Sequence, residues 1–170
     1  KGSATYRCRY VIIATGVMDV QPHIGGSIEP VFPFANRGDF IYCLRCDGHR
    51  VLGHKLAVIG PATTAMAIAN LMHERYGIEG ITVLTHGDEA KADEAVAKLG
   101  QRYGIELKTS PIVELRGDGK VGLQGMVLAD GSELQVEKAI VAMGTIVYND
   151  LAVQLGVEVA DDGRLVVGAA

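Results

Sequence analysis

The chain has 170 residues, the size of one domain with a real core, and 48% of them are hydrophobic against 21% charged. Its net charge of −4 argues against nucleic acid or an anionic membrane surface as a partner, and no apolar run reaches membrane-spanning length, so a soluble cytoplasmic protein is expected. Three cysteines do not make a secreted disulfide framework, while 22 glycines and no tryptophan suit an α/β domain with many tight turns.

In chain order, Tyr6-Arg7-Cys8-Arg9-Tyr10 alternates, which predicts that Cys8 is a packed strand residue. Residues 10–14 form an apolar run ending at Thr15-Gly16, the pattern of a buried strand entering a turn. Residues 19–39 carry Pro22, Pro30, Pro33 and the Gly25-Gly26 pair, which predicts an extended connection without a helix. Leu56-Ala57-Val58-Ile59 reads as a strand. The turn Gly60-Pro61-Ala62-Thr63-Thr64-Ala65 then leads into a helix to about Tyr76, capped by Thr63 or Thr64 and ended by Gly77 and Gly80. A strand over residues 81–84 completes a βαβ unit with parallel strands.

A charged, alanine-rich helix is expected over residues 89–103, ending at Gly104. Beyond it the apolar period changes to two: residues 105–107, 112–115, 121–128 and 133–136 read as an antiparallel meander with turns at Gly117-Asp118-Gly119 and Asp130-Gly131. Residues 139–143 return to a continuous apolar run, a buried central strand. The tail reads as a short helix from Leu151, then strands at 157–159 and 165–167 around Asp161-Asp162-Gly163. Residues 10–16 and 138–144 echo each other as an apolar strand ending in Ala-x-Gly.

The chemistry concentrates at Tyr42-Cys43-Leu44-Arg45-Cys46-Asp47-Gly48-His49. Cys-x-x-Cys beside a βαβ pattern reads as a dithiol/disulfide redox centre, because this spacing lets the sulfurs close a small ring. Arg45 between them favours the thiolate, and Asp47 is placed to move the proton that thiol–disulfide exchange requires. Two other readings compete. Cys43 and Cys46 could be inert packed thiols, or, with His49 and His54, a C-x2-C-x2-H-x4-H zinc set, although that pattern lacks the separation between ligand pairs usual in zinc knuckles. No metal is expected. His23 and His73 have no nameable partner in the sequence, and His73 at a helix end complements the dipole.

Cys43-Leu44-Arg45-Cys46-Asp47-Gly48, followed by Lys55-Leu56-Ala57-Val58-Ile59-Gly60, resembles the pyridine-nucleotide domain of low-molecular-weight thioredoxin-disulfide reductases. The resemblance extends to residues 10–16 and 139–144 and so covers nearly the whole chain. It implies a Rossmann-like three-layer α/β fold, a parallel sheet plus an antiparallel β-meander. It also implies a division into residues 1–18 returning from a flavin-binding domain, 19–145 as the NAD(P)-binding-like domain, and 146–170 as the start of a return to the flavin-binding domain. In the intact protein it implies FAD, not expected in this fragment, with NADPH or NADH as electron source and a thioredoxin-like protein or a small-molecule disulfide as partner. The intact protein would be a homodimer, and the isolated chain is expected to lack turnover.

By the same resemblance Cys43 faces the substrate, Cys46 faces the flavin and Asp47 is the acid, while Thr15, Gly16 and Gly144 border the cofactor sites. The nucleotide would meet Gly60, Ala62, Thr63, Thr64, Ala65 and His86. Here the sequence departs from the pattern: Ala62 puts a methyl where the backbone approaches a pyrophosphate, and Pro61 removes a donor. Thr85-His86-Gly87-Asp88 replaces the arginine-rich run that holds a 2′-phosphate, and Asp88 lies slightly beyond the usual acidic position for an NAD ribose. The departures leave open a nucleotide-independent dithiol oxidase of the same architecture, or a non-catalytic nucleotide- or redox-sensing module.

Overall fold

The computed structural model describes residues 4–168, so the outermost residues of the two expected flanking segments, 1–3 and 169–170, lie outside the described residues. Two compact units are present: Asp19–Gly144, and the flanking pieces Lys1–Met18 with Thr145–Ala170. The chain opens with β1 (Val17–Asp19), a 3-10 turn (Glu29–Val31), α1 (Phe32–Arg37), β2 (Phe40–Ile41) and the single-turn α2 (Leu44–Asp47). It continues through β3 (Leu56–Ile59), α3 (Ala62–Tyr76), β4 (Thr82–Leu84), α4 (Glu94–Arg102) and β5 (Glu106–Lys108). The last elements are β6 (Ile112–Asp118), β7 (Gly122–Leu128), β8 (Glu133–Leu134), β9 (Lys138–Val141), β10 (Thr145–Val147) and α5 (Asp150–Gln154).

The larger unit is built in three layers. Its centre is a five-stranded sheet in the order β2-β9-β3-β4-β5 with every neighbouring pair parallel. Successive strand residues point to opposite faces, and both faces here are apolar. Phe40, Ala57, Ile59, Ala139 and Val141 pack with Leu123, Met126 and Leu128 of the meander. Ile41, Leu56, Val58 and Ile140 pack instead with Ala65, Met66, Ala69 and Met72 of α3. A parallel sheet buried on both faces requires such continuous apolar runs, and all four residues of β3 are buried. The three-layer Rossmann-like fold read from the sequence is the one observed.

Several local expectations need correction. Residues 19–39 do contain helix: Pro30 and Pro33 fall in the first turns of the 3-10 segment and of α1, where no backbone N–H is needed, and Gly38 closes α1 in the left-handed conformation. The second helix is shorter than expected, because Asp93 caps it by accepting from Ala95 and Val96 N–H and so fixes its start at Glu94. Residues 105–107 were expected in the meander, but β5 pairs parallel with β4; the antiparallel sheet is β6-β7-β8 alone. Thr63 and Thr64 do not cap α3: Pro61 occupies the cap position with no side-chain bond, and Thr63 Oγ1 accepts from Asp93 N–H at 2.9 Å instead.

In the flanking unit, β1 pairs with β10 and α5 follows. Residues 10–14 form no strand and are not buried: Tyr10 is 88% and Ile12 91% exposed. Apolar runs signal burial only where a packing surface exists, and the described residues supply little there. Cys8 is likewise an exposed free thiol outside any strand. The two strands expected in the tail reduce to a single antiparallel bridge, Val159 with Leu165.

Candidate redox site at the carboxyl edge of the sheet

Because all five central strands run the same way, their carboxyl ends meet at one edge, the place where ligands of open α/β sheets bind. The register aligns these ends: Ile41 lies beside Ile140, and Ile59 lies between Val141 and Leu84. The segments leaving that edge are Tyr42-Cys43 from β2, Gly60 from β3, Thr85-His86 from β4 and Ala142-Met143-Gly144 from β9. Since β9 separates β2 from β3, the cysteine segment and the Gly60 turn stand about two strand spacings, ~10 Å, apart.

Cys43 and Cys46 form a disulfide with Cα atoms 5.3 Å apart, so neither sulfur is a metal ligand in this state. Among the described residues no group of three or more histidine, cysteine or carboxylate side chains is arranged to hold a metal ion. Cys43 caps α2, its Sγ accepting from Cys46 N–H at 3.2 Å, a bond that would favour a thiolate there once the disulfide is reduced. Cys46 is exposed and Cys43 half-buried. Asp47 follows at the end of α2, 3.7 Å from the Arg50 guanidinium. Tyr42, just before the pair, donates to Gln21 Oε1, and burial pushes its phenol up to about 12, so it is protonated at physiological pH.

The Gly60 turn is tight for a reason visible in the backbone: a Cβ there would lie 2.5 Å from the Ala142 carbonyl oxygen of the neighbouring crossover. Gly60 N–H bonds the Leu84 carbonyl. The rest of the turn fits a dinucleotide poorly. Pro61 offers no N–H, Ala62 is buried with its methyl in place, and Thr63 is already committed to Asp93.

His86 departs furthest from the expectation. Its Nδ1 accepts from Ile112 N–H at 3.0 Å and its Nε2 faces the His23 carbonyl at 3.1 Å. An N–H can only donate and a carbonyl only accept, so the ring must be the neutral tautomer with its proton on Nε2. Burial, the largest cause, holds the imidazole below the ordinary histidine range, opposed by the bond to His23. Both nitrogens are consumed in joining the β4 loop to β6 and to residue 23, and none is left for a phosphate. His86 is thus not free to hold a 2′-phosphate. This role was not legible in the sequence; in the structure His86 also stands at positive φ, 56°, just before Gly87.

Of the positions expected to border cofactors, Gly16 and Gly144 have positive φ and open space where a Cβ would stand. Thr15 donates its hydroxyl to the Tyr148 carbonyl, which ties it to its own unit.

A parallel doubly covered sheet with a disulfide one turn beyond its edge strand defines a disulfide oxidoreductase domain of dinucleotide-binding architecture. Residues 1–169 match the family model of pyridine nucleotide-disulphide oxidoreductases, and the chain belongs to that family. It is 27% identical over 172 residues to a thioredoxin reductase of Listeria monocytogenes, covering 97% of this chain and 51% of that protein. It is 28% identical to the thioredoxin reductase sirT of Leptosphaeria maculans, covering 94% and 50%. Among solved structures, the atypical thioredoxin reductase TRi from Desulfovibrio vulgaris Hildenborough superposes with a TM-score of 0.61 at 26% identity, over 90% of this chain and 51% of that one. The chain thus spans about half the length of the relatives it matches. No described helix is long and apolar enough to cross a membrane.

Proposed function

We propose that this chain is the redox-disulfide domain of a thioredoxin-reductase-like flavoprotein. In this reading Cys43 and Cys46 exchange two electrons with an external disulfide or dithiol. The observation that carries it is the Cys43–Cys46 disulfide itself, held by a single helical turn directly after β2 at the carboxyl edge of the sheet. In the reducing direction a Cys43 thiolate attacks one sulfur of the external disulfide, forming a mixed disulfide and expelling one thiolate. Cys46 then attacks Cys43, expelling the second thiolate and restoring the internal disulfide. Protons leave with the expelled thiolates, and Asp47 is the nearby group suited to pass one. FAD, bound where the family binds it, supplies or removes the electron pair when present.

The flanking segments, in this proposal, lead to the flavin-binding portion of a longer chain, which works as a homodimer in the cytoplasm. Its partner is a thioredoxin-like protein or a small disulfide. Thiol counting tests the central claim. The oxidised chain should show one thiol, Cys8, and three after dithiothreitol. Bis(2-hydroxyethyl) disulfide should re-form the Cys43–Cys46 bond and leave no added mass on the peptide carrying that pair, while the exposed Cys8 takes up the probe. A Cys46→Ser chain should instead stop as a mixed disulfide on Cys43, seen as an added mass. Three thiols before reduction, or no reaction of the Cys43–Cys46 pair with the probe, would sink the proposal.

A second reading draws support from His86, Pro61 and Ala62: a dithiol oxidase of the same architecture that takes no hydride from a nucleotide. Titration of the chain with NADPH and with NADH by calorimetry separates the two. Micromolar binding of either favours the reductase, and absence of heat with both favours the oxidase.

A further inference from the structure

We infer that the groove behind the redox turn is a carboxylate-recognition site that selects small anionic disulfides, an inference that rests on the dithiol exchange proposed above. The groove, about 440 Å³, is lined by Leu44, Arg45, Leu71, Met72, Arg75 and Tyr76, and this volume lies in the range of small-molecule pockets. Its floor is apolar, with Met72 buried and Leu71 exposed at the lip. Its polar equipment is cationic.

Neither Arg45 nor Arg75 joins an ion pair among the described residues, although most other arginines in the chain do. Arg75 is held in place by stacking, its guanidinium carbon 5.5 Å from the Tyr76 ring centroid. The carboxylates that could have neutralised the groove are engaged elsewhere: Glu74 accepts from the Tyr103 hydroxyl at 2.7 Å, and Asp47 faces Arg50. Two free guanidinium groups therefore stand together on a chain whose net charge is −4. A guanidinium fork matches a carboxylate in shape as well as charge.

The groove is joined to the cysteines by covalent structure. Leu44 and Arg45 are the two residues between Cys43 and Cys46, so one wall of the groove belongs to the redox turn itself. Tyr76 reaches the same motif from the other direction, its hydroxyl 3.7 Å from where a Cβ on Gly48 would stand. A carboxylate held in the groove is therefore next to the turn that carries both sulfurs. The class of substrate this selects is a small disulfide bearing carboxylates.

The test compares the exchange rates of the reduced Cys8→Ser chain, which lacks the exposed thiol between Arg7 and Arg9, with 3,3′-dithiodipropionate and with bis(2-hydroxyethyl) disulfide. Each rate is divided by that of free dithiothreitol with the same probe. The normalised preference for the dianion should be about tenfold at low salt and shrink by 0.5 M salt. It should fall towards one in Arg75→Ala, and in Arg75→Gln should the alanine variant fail to fold. Equal normalised rates in the Cys8→Ser chain, or a preference that Arg75→Ala and Arg75→Gln leave intact, would overturn the inference. If the preference appears only with an acidic protein disulfide and not with dithiodipropionate, the small-molecule assignment is wrong. Reaction with neither small probe would instead be the failure of the underlying exchange proposal.

Discussion

His86 spends both ring nitrogens on the fold, and the cost of protonating it follows. Its folded affinity for a proton is below that of the unfolded chain, so its contribution to stability is fully present above the unfolded value near 6.5 and is lost as pH falls towards the lower folded value. The urea midpoint should therefore drop between pH 7.5 and 5.5 and flatten in His86→Gln. An equal slope in both proteins would show that other groups dominate. Gly60 acts at the same scale by shape: Gly60→Ala drives a methyl into the Ala142 carbonyl and should destabilise by about 1–3 kcal/mol, read from denaturant midpoints. Gly60 could be recognised in the sequence because it ends an apolar run at a turn. His86 could not, since its partners, Ile112 and His23, are 26 and 63 residues away and offer only backbone atoms.

Among elements, the junction of α1, β2, β7 and β9 turns on one carboxylate. Asp39 is buried, accepts from Leu123 N–H at 3.1 Å, and pairs with the Lys138 ammonium and with Arg37 at 3.3 Å. Removing a buried partner strands the other charge. Asp39→Ala should thus cost about 3–5 kcal/mol in chemical denaturation, whereas Arg116→Ala, breaking only exposed pairs with Glu114 and Glu133, should cost less than about 1 kcal/mol. Comparable losses in the two variants would refute this view of the junction. Elements with strong periodicity, such as β3, α3 and β9, were legible because most of their apolar positions had a use in one of the two cores. α1 was not, because its prolines stand at positions where proline is harmless, and β5 was misassigned because three alternating residues do not encode which neighbour they pair with.

For the whole molecule, the two compact units differ in how much of their apolar surface is covered. The larger one buries both faces of its sheet, while the flanking one leaves Tyr10, Ile12, Leu155 and Val167 open. Brief trypsin digestion followed by mass spectrometry should cut first at Arg7, Arg9 or Arg164 and leave a fragment containing Asp19–Gly144; early cleavage at Lys55 or Lys138 would contradict that ranking. The sequence pointed to the architecture through the cysteine motif and the βαβ unit. It could not show the exposure of residues 10–14, because hydrophobicity states a demand for burial without naming what meets it.

The strand that delivers the cysteines is the shortest in the central sheet, two residues long, at its edge, and hydrogen-bonded to β9 alone. An edge held by so few backbone bonds has the weakest ladder in the sheet, and its side chains and Asp39 carry most of its attachment. Amide hydrogen exchange would display this as a hierarchy, with the Phe40 and Ile41 protons lost long before those of Val58 and Ile140. The segment that carries the disulfide thus leaves the sheet from the strand with the shortest ladder.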